Sequence, residues 1–163
     1  MKEFDEIGLK LCKMQGEVFI RSLKGTECSS PVFLRRFMNS SVASRMDGDG
    51  FLFEMCDTGS IILEVEAEFG RTDYGQIRYS EEELYWMGYL YRYWCYTREK
   101  TSKHVYKIMK PKELRELYYP YHSLDPAQAI ERILEAKQLT EDDFTRRGVM
   151  ILRALMEKKE RRS

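Results

Sequence analysis

No excess charge of either sign is available to this chain. Its 27 Lys and Arg residues balance 27 Asp and Glu residues, so nothing global draws it to nucleic acid, a membrane surface or an acidic ligand. The balance is also local, with 10 basic and 13 acidic groups in residues 1–79, 10 and 9 in 80–140, and 7 and 5 in 141–163. Histidine is scarce: His104 lies in a lysine-rich turn and His122 between Pro120 and Pro126, and no serine or cysteine has a local context that would activate it as a nucleophile. The four cysteines, Cys12, Cys28, Cys56 and Cys95, are scattered without CxxC or CxxH spacing, which removes a zinc or dithiol signal. GxGxxG, P-loop and HExxH motifs are all missing. A non-enzymatic chain needing no cofactor or metal is therefore expected. There is no signal-peptide pattern after Met1, and the longest aromatic run falls short of the roughly 20 apolar residues that span a bilayer. The expected location is cytoplasmic, in a reducing environment and off the membrane.

What is present is a folding sequence, 43% hydrophobic and 13% aromatic over 163 residues, enough for one domain, 1–163, with a real core. The stretch Ser80–Arg98 puts seven aromatic residues into nineteen positions. Ser80 with Glu83 forms a capping box, and Glu81 to Glu83 suit the positive end of a helix dipole. At 100° per residue Leu84, Gly88, Tyr91 and Cys95 share one side, with Met87 and Trp94 beside them. Trp86, Leu90 and Tyr93 lie roughly opposite, and Tyr85, Tyr89, Arg92 and Tyr96 form a stripe between. A helix apolar all round is buried all round, so this one reads as central, with Gly88 letting a second helix come close.

The remaining pattern is helical and uneven. Two adjacent apolar stripes, Phe4, Ile7, Leu11, Met14, Val18 and Leu9, Cys12, Gly16, Phe19, Leu23, predict a helix over 2–24, with a break near Gly16 as the alternative. Short helices follow at 32–38, 42–46 and 61–69, the last capped by Ser60. Asp47–Gly50 reads DGDG, a bland turn rather than a calcium loop, because the third acidic position is Phe51 and no glutamate falls at the twelfth. Residues 51–56 can form one short strand but have no strand to pair with. Segments 103–109, 111–118 and 127–137 are helical, with Ala129, Ile130, Ile133 and Leu134 on one face of the last. Thr140 and Asp143 open a final helix. The fold class is all-α, an irregular bundle of six to eight unequal helices around the aromatic helix at about 80–98.

Two features can carry function. All eleven tyrosines fall between Tyr74 and Tyr121, too many hydroxyls to bury and pair, and Tyr, Trp and Arg dominate protein interfaces. The Tyr85, Tyr89, Arg92, Tyr96 stripe, extended by Tyr118, Tyr119 and Tyr121, is thus the candidate partner surface. The bland alternative is an aromatic core with hydroxyls at its rim. Separately, Arg98 to Lys112 holds six basic residues and one glutamate, and Lys103, Lys107 and Lys110 share a face. The short helix pair at 102–119 can imitate a helix-turn-helix that follows phosphates, although its second helix offers no Asn or Gln to read bases.

Two passages, PVFLRRFMNSSVASRMDGDGF at 31–51 and YSEEELYWMGYLYRYWCYT with KPKELRELYYPYHSLDPAQAIERILEA at 79–97 and 110–136, resemble small antitoxin-like proteins of gut Firmicutes and their mobile elements. Such genes are carried beside toxin genes, often of ADP-ribosyltransferase-like fold. The resemblance implies a toxin-antitoxin system in which this chain neutralises a co-encoded toxin. It transfers no site residue. A DNA-binding transcriptional regulator using Lys103, Lys107 and Lys110 is the alternative.

Overall fold

A computed structural model describes residues 1–51, 53–137 and 156–158. Among them are nine α-helices, one 3-10 turn and the helical residues 156–158, with no strand, so the all-α class and the irregular bundle of unequal helices hold. Residues Phe53–Met55 form the 3-10 turn rather than a strand. An isolated strand leaves its backbone polar groups unpaired, whereas a helical turn pairs some of its own. The chain divides into two compact units, Met1–Ala127 and Gln128–Ser163.

The first unit is built on two long helices, α1 (Glu6–Gly25) and α5 (Glu81–Arg98), packed along most of their length. Glycine makes the seam tight. A Cβ on Gly88 would lie 2.7 Å from the Gln15 carbonyl oxygen and 2.9 Å from the Gly16 Cα, so the two backbones touch. Gly16 therefore does not break α1. The close contact it permits outweighs the roughly 1 kcal/mol a glycine costs in a helix interior. One expected stripe of α1 is only partly buried, since Ile7 is exposed, and Gln15 and Ser22 are buried among the apolar residues instead.

Shorter helices close the core: α2 (Ser30–Met38), α3 (Ser41–Asp47) and α4 (Thr58–Phe69). Phe19 of α1 meets Phe37 edge-on at 5.2 Å and Phe33 at 6.0 Å. The start of α4 is set by Asp57, which accepts from the Ser60 amide and hydroxyl, so Ser60 lies inside the helix that it was expected to cap. Residues 71–80, which carry neither helix nor strand, then pass the start of α2, where the Ser29 and Ser30 amides donate to the Tyr74 and Ile77 carbonyls at 3.0 and 2.9 Å. Arg78 anchors that segment by donating to the carbonyls of Leu23, Thr26 and Cys28 at the end of α1.

Helix α5 begins with the expected capping box: the Glu83 amide donates to Ser80 Oγ at 3.1 Å, and Glu83 Oε1 accepts from the Ser80 amide at 3.1 Å. After it come α6 (Ser102–Ile108), capped by Thr101, then α7 (Pro111–Glu116) and α8 (Tyr118–Tyr121). The buried rings of α5 are satisfied internally, as where the wholly buried Tyr91 donates its hydroxyl to the Met109 carbonyl at 2.6 Å. Helix α9 (Pro126–Ala136) lies almost wholly in the second unit and buries Ala129, Ile130, Ile133 and Leu134, the face expected. The helix expected from Thr140 onward lies, but for 156–158, outside the described residues.

Candidate functional site

The aromatic side of α5 is not sealed. Tyr85, Trp86 and Tyr89 stay half-buried and form one wall of a groove of about 560 Å³. Trp86 and Tyr89 are three residues apart and Tyr85 and Tyr89 four, spacings that share a helix face. Tyr118 of α8 and His122 just beyond it, themselves four apart, line the groove too, as does Ile20 of α1. The Trp86 and Tyr118 rings meet edge-on at 5.8 Å, and Tyr118 stacks on His122 at 4.5 Å. His122 Nδ1 sits 2.7 Å from the Tyr118 carbonyl and 3.1 Å from that of Tyr119. Carbonyls only accept, so Nδ1 carries the hydrogen and the ring is held in place.

Two carboxylates, Glu81 and Glu82, also line the groove at the α5 end. They are exposed, while Glu83 beside them is used by the cap and by an ion pair with Arg115 Nε at 2.8 Å. Burial, and after it the nearby Glu17 carboxylate, pushes the Tyr85 phenol above its ordinary range. Burial pushes Tyr89 up to about 12. Both rings therefore stay neutral hydrogen-bonding groups across the physiological range.

The partner stripe expected from sequence is divided by the fold. Tyr85 and Tyr89 reach the groove, but Arg92 does not. It is 1% exposed and lies in the core, donating from Nε to Gln15 Oε1 at 2.8 Å, from one terminal nitrogen to Asp47 Oδ1 at 2.6 Å and from the other to Ser102 Oγ at 3.0 Å. Asp47 also accepts from the Ser102 amide and hydroxyl, so the first residue of the DGDG turn is a structural counter-ion. A guanidinium with a fork of donors can be buried only where acceptors surround it, and α1, α3 and α6 supply them. Tyr96 is separated from the groove as well. Its hydroxyl donates to Asp5 at 2.5 Å, Lys2 lies 4.3 Å over its ring, and it borders a polar cleft of about 230 Å³ with Asp47 and Arg92. Tyr119 is 85% exposed, its ring 6.5 Å from that of His122, and Tyr121 is half-buried.

Trp86, His122, Glu81 and Glu82 were missed as site residues. The i, i+3 relation of Trp86 to Tyr89 was a usable signal; placing His122 beside Trp86 required the path of the chain through α6, α7 and α8.

The basic stripe is at the surface. Lys103, Lys107 and Lys110 are all exposed, and Lys110 lies 4.1 Å over the Tyr106 ring. Helix α7, in the recognition position, has six residues, and its Arg115 is committed to Glu83 and to the Tyr79 ring at 4.4 Å. Among the described residues no three His, Cys, Asp or Glu side chains cluster as metal ligands, and no helix is long and apolar enough to cross a membrane. Comparison with protein-family models, curated proteins and solved structures found no match.

Proposed function

We propose that this chain is a cytoplasmic, non-enzymatic protein-binding module, an antitoxin-like neutraliser that seats a segment of a co-encoded toxin in the groove of Tyr85, Trp86, Tyr89 and Tyr118. The observation that carries the reading is the groove itself, a concave aromatic surface. Tyrosine and tryptophan supply much contact area at low entropy cost. Tyr85, Trp86 and Tyr89 stand on a helix that buries Leu84, Met87, Gly88 and Leu90 around them, so little ordering of that wall remains to oppose association. The resemblance to antitoxin-like proteins supports the choice of a toxin as the partner.

Co-expression with the product of the adjacent gene tests it. The intact chain is expected to co-purify with that product and to restore growth. Trp86→Ala with Tyr89→Ala is expected to weaken capture about a thousandfold, two interface anchors at roughly 2 kcal/mol each by hot-spot magnitudes, while circular dichroism stays helical. Undiminished capture by the double variant overturns the assignment.

Exposure of Lys103, Lys107 and Lys110 favours one second reading, a DNA-binding regulator. Duplex affinity would then fall with salt at a log–log slope of about −0.9 per phosphate contacted, and Ala at all three lysines would flatten the slope. Capture of a protein partner that resists added salt argues for the neutraliser instead.

A further inference from the structure

Resting on the reading of the groove as a docking surface, we infer that its occupant is an arginine or lysine side chain carried on an apolar segment of the partner protein. The groove is lined by Tyr85, Trp86 and Tyr89, by Tyr118, one face of which is covered by His122, and by the exposed Glu81 and Glu82 at the start of α5. Aromatic faces are the negative pole of the ring quadrupole, and Trp and Tyr are the rings that hold cations best. A neutral apolar anchor would cover the two carboxylates and take water from them without compensation; a cation offsets that loss.

The molecule already uses this chemistry on its own cations. Arg115 lies 4.4 Å over the Tyr79 ring while its Nε binds Glu83 at 2.8 Å, an aromatic face and a carboxylate holding one guanidinium beside the start of α5. Lys2 over Tyr96 and Lys110 over Tyr106 repeat the aromatic half of it. Lys2, Arg36, Lys110 and Arg115 all make their ring contacts outside the groove, on Tyr96, Phe69, Tyr106 and Tyr79. Arg21 and Lys24 belong to an adjoining hollow that shares only Ile20 and Glu81 with the groove. A volume of about 560 Å³ is also more than one side chain fills, which is why the cation is placed on a segment with apolar neighbours rather than alone.

The test uses the full chain with nitrogen-labelled indoles. Trp86 reports on the groove, and the wholly buried Trp94 reports on the fold. The probes are a short blocked peptide with a central arginine between alanine and leucine residues, and the same peptide with norleucine in its place. Saturable movement of the Trp86 signal by the arginine peptide, about tenfold tighter than by the norleucine peptide, is the expected result. Glu81→Gln with Glu82→Gln should cut that preference about fivefold with the Trp94 signal unmoved; Glu83 and its cap are left intact. Equal binding of the two peptides, no movement by either, or an unaltered preference in the double variant overturns the inference. The docking reading is separately at stake: it survives any of these results if Trp86→Ala with Tyr89→Ala weakens capture of the toxin, and falls if capture is undiminished.

Discussion

Arg92 puts a guanidinium inside the core of the first unit. On the helical wheel it is the only charge in the aromatic run, and a lone charge among apolar neighbours reads as a surface residue. In the structure it joins four helices by bonding Gln15, Asp47 and Ser102. Its value is the cost of breaking the set, since removing one partner leaves the nearly buried Asp47 carboxylate uncompensated. Arg92→Ala is expected to lose about 3–5 kcal/mol, a fall in Tm of roughly 10 °C. Arg92→Lys should recover only part of it, because an ammonium cannot reach three acceptors in a fork. Thermal unfolding measures both, and a fall of less than about 2 °C for the alanine variant would return Arg92 to the list of surface candidates.

At the scale of the element, the contact of α1 with α5 is decided by glycines, and their substitutions should differ. Alanine at Gly88 meets backbone, 2.7 Å from the Gln15 oxygen, which cannot turn aside. Despite alanine's better helix propensity, Gly88→Ala should cost about 1–3 kcal/mol. Alanine at Gly16 meets the Tyr85 ring at 2.7 Å, which can rotate, and a backbone atom, the Tyr85 carbonyl oxygen, only at 3.1 Å. Gly16→Ala is expected to cost less in a denaturant titration yet displace a wall of the groove, weakening partner capture more than stability. Equal stability losses would mean that Tyr85 is as fixed as the backbone.

For the whole molecule, the concentration of tyrosine makes the fold sensitive to alkali. Burial pushes the phenols of Tyr79, Tyr85, Tyr89, Tyr91, Tyr93 and Tyr96 upward, with Tyr89 and Tyr96 reaching about 12. For Tyr96 the hydrogen bond to Asp5 adds to burial. Each folded-state value lies above the unfolded value near 10, so the stabilisation is complete below that pH and is lost as pH rises toward about 12. Tyrosinate absorbance and helical circular dichroism should therefore change together in an alkaline titration. Full ionisation of these rings while the helices persist would show that they are wetter than the structure places them.

The all-α class, the capping box at Ser80 and the buried face of α9 were legible in the sequence, because caps and 3.6-residue periodicity act within one or two turns of a chain. Gly88 announced a close helix crossing for the same local reason. Which aromatic rings stay open was decided only by the tertiary structure. Helical spacing puts Arg92 beside Tyr85, Tyr89 and Tyr96 on one stripe, but burial depends on what packs against each turn. Gln15, Asp47 and Ser102 arrive from distant parts of the chain to enclose Arg92, and Tyr118 and His122 arrive to complete the groove with Tyr85, Trp86 and Tyr89. Contacts between residues far apart in sequence leave no period to read.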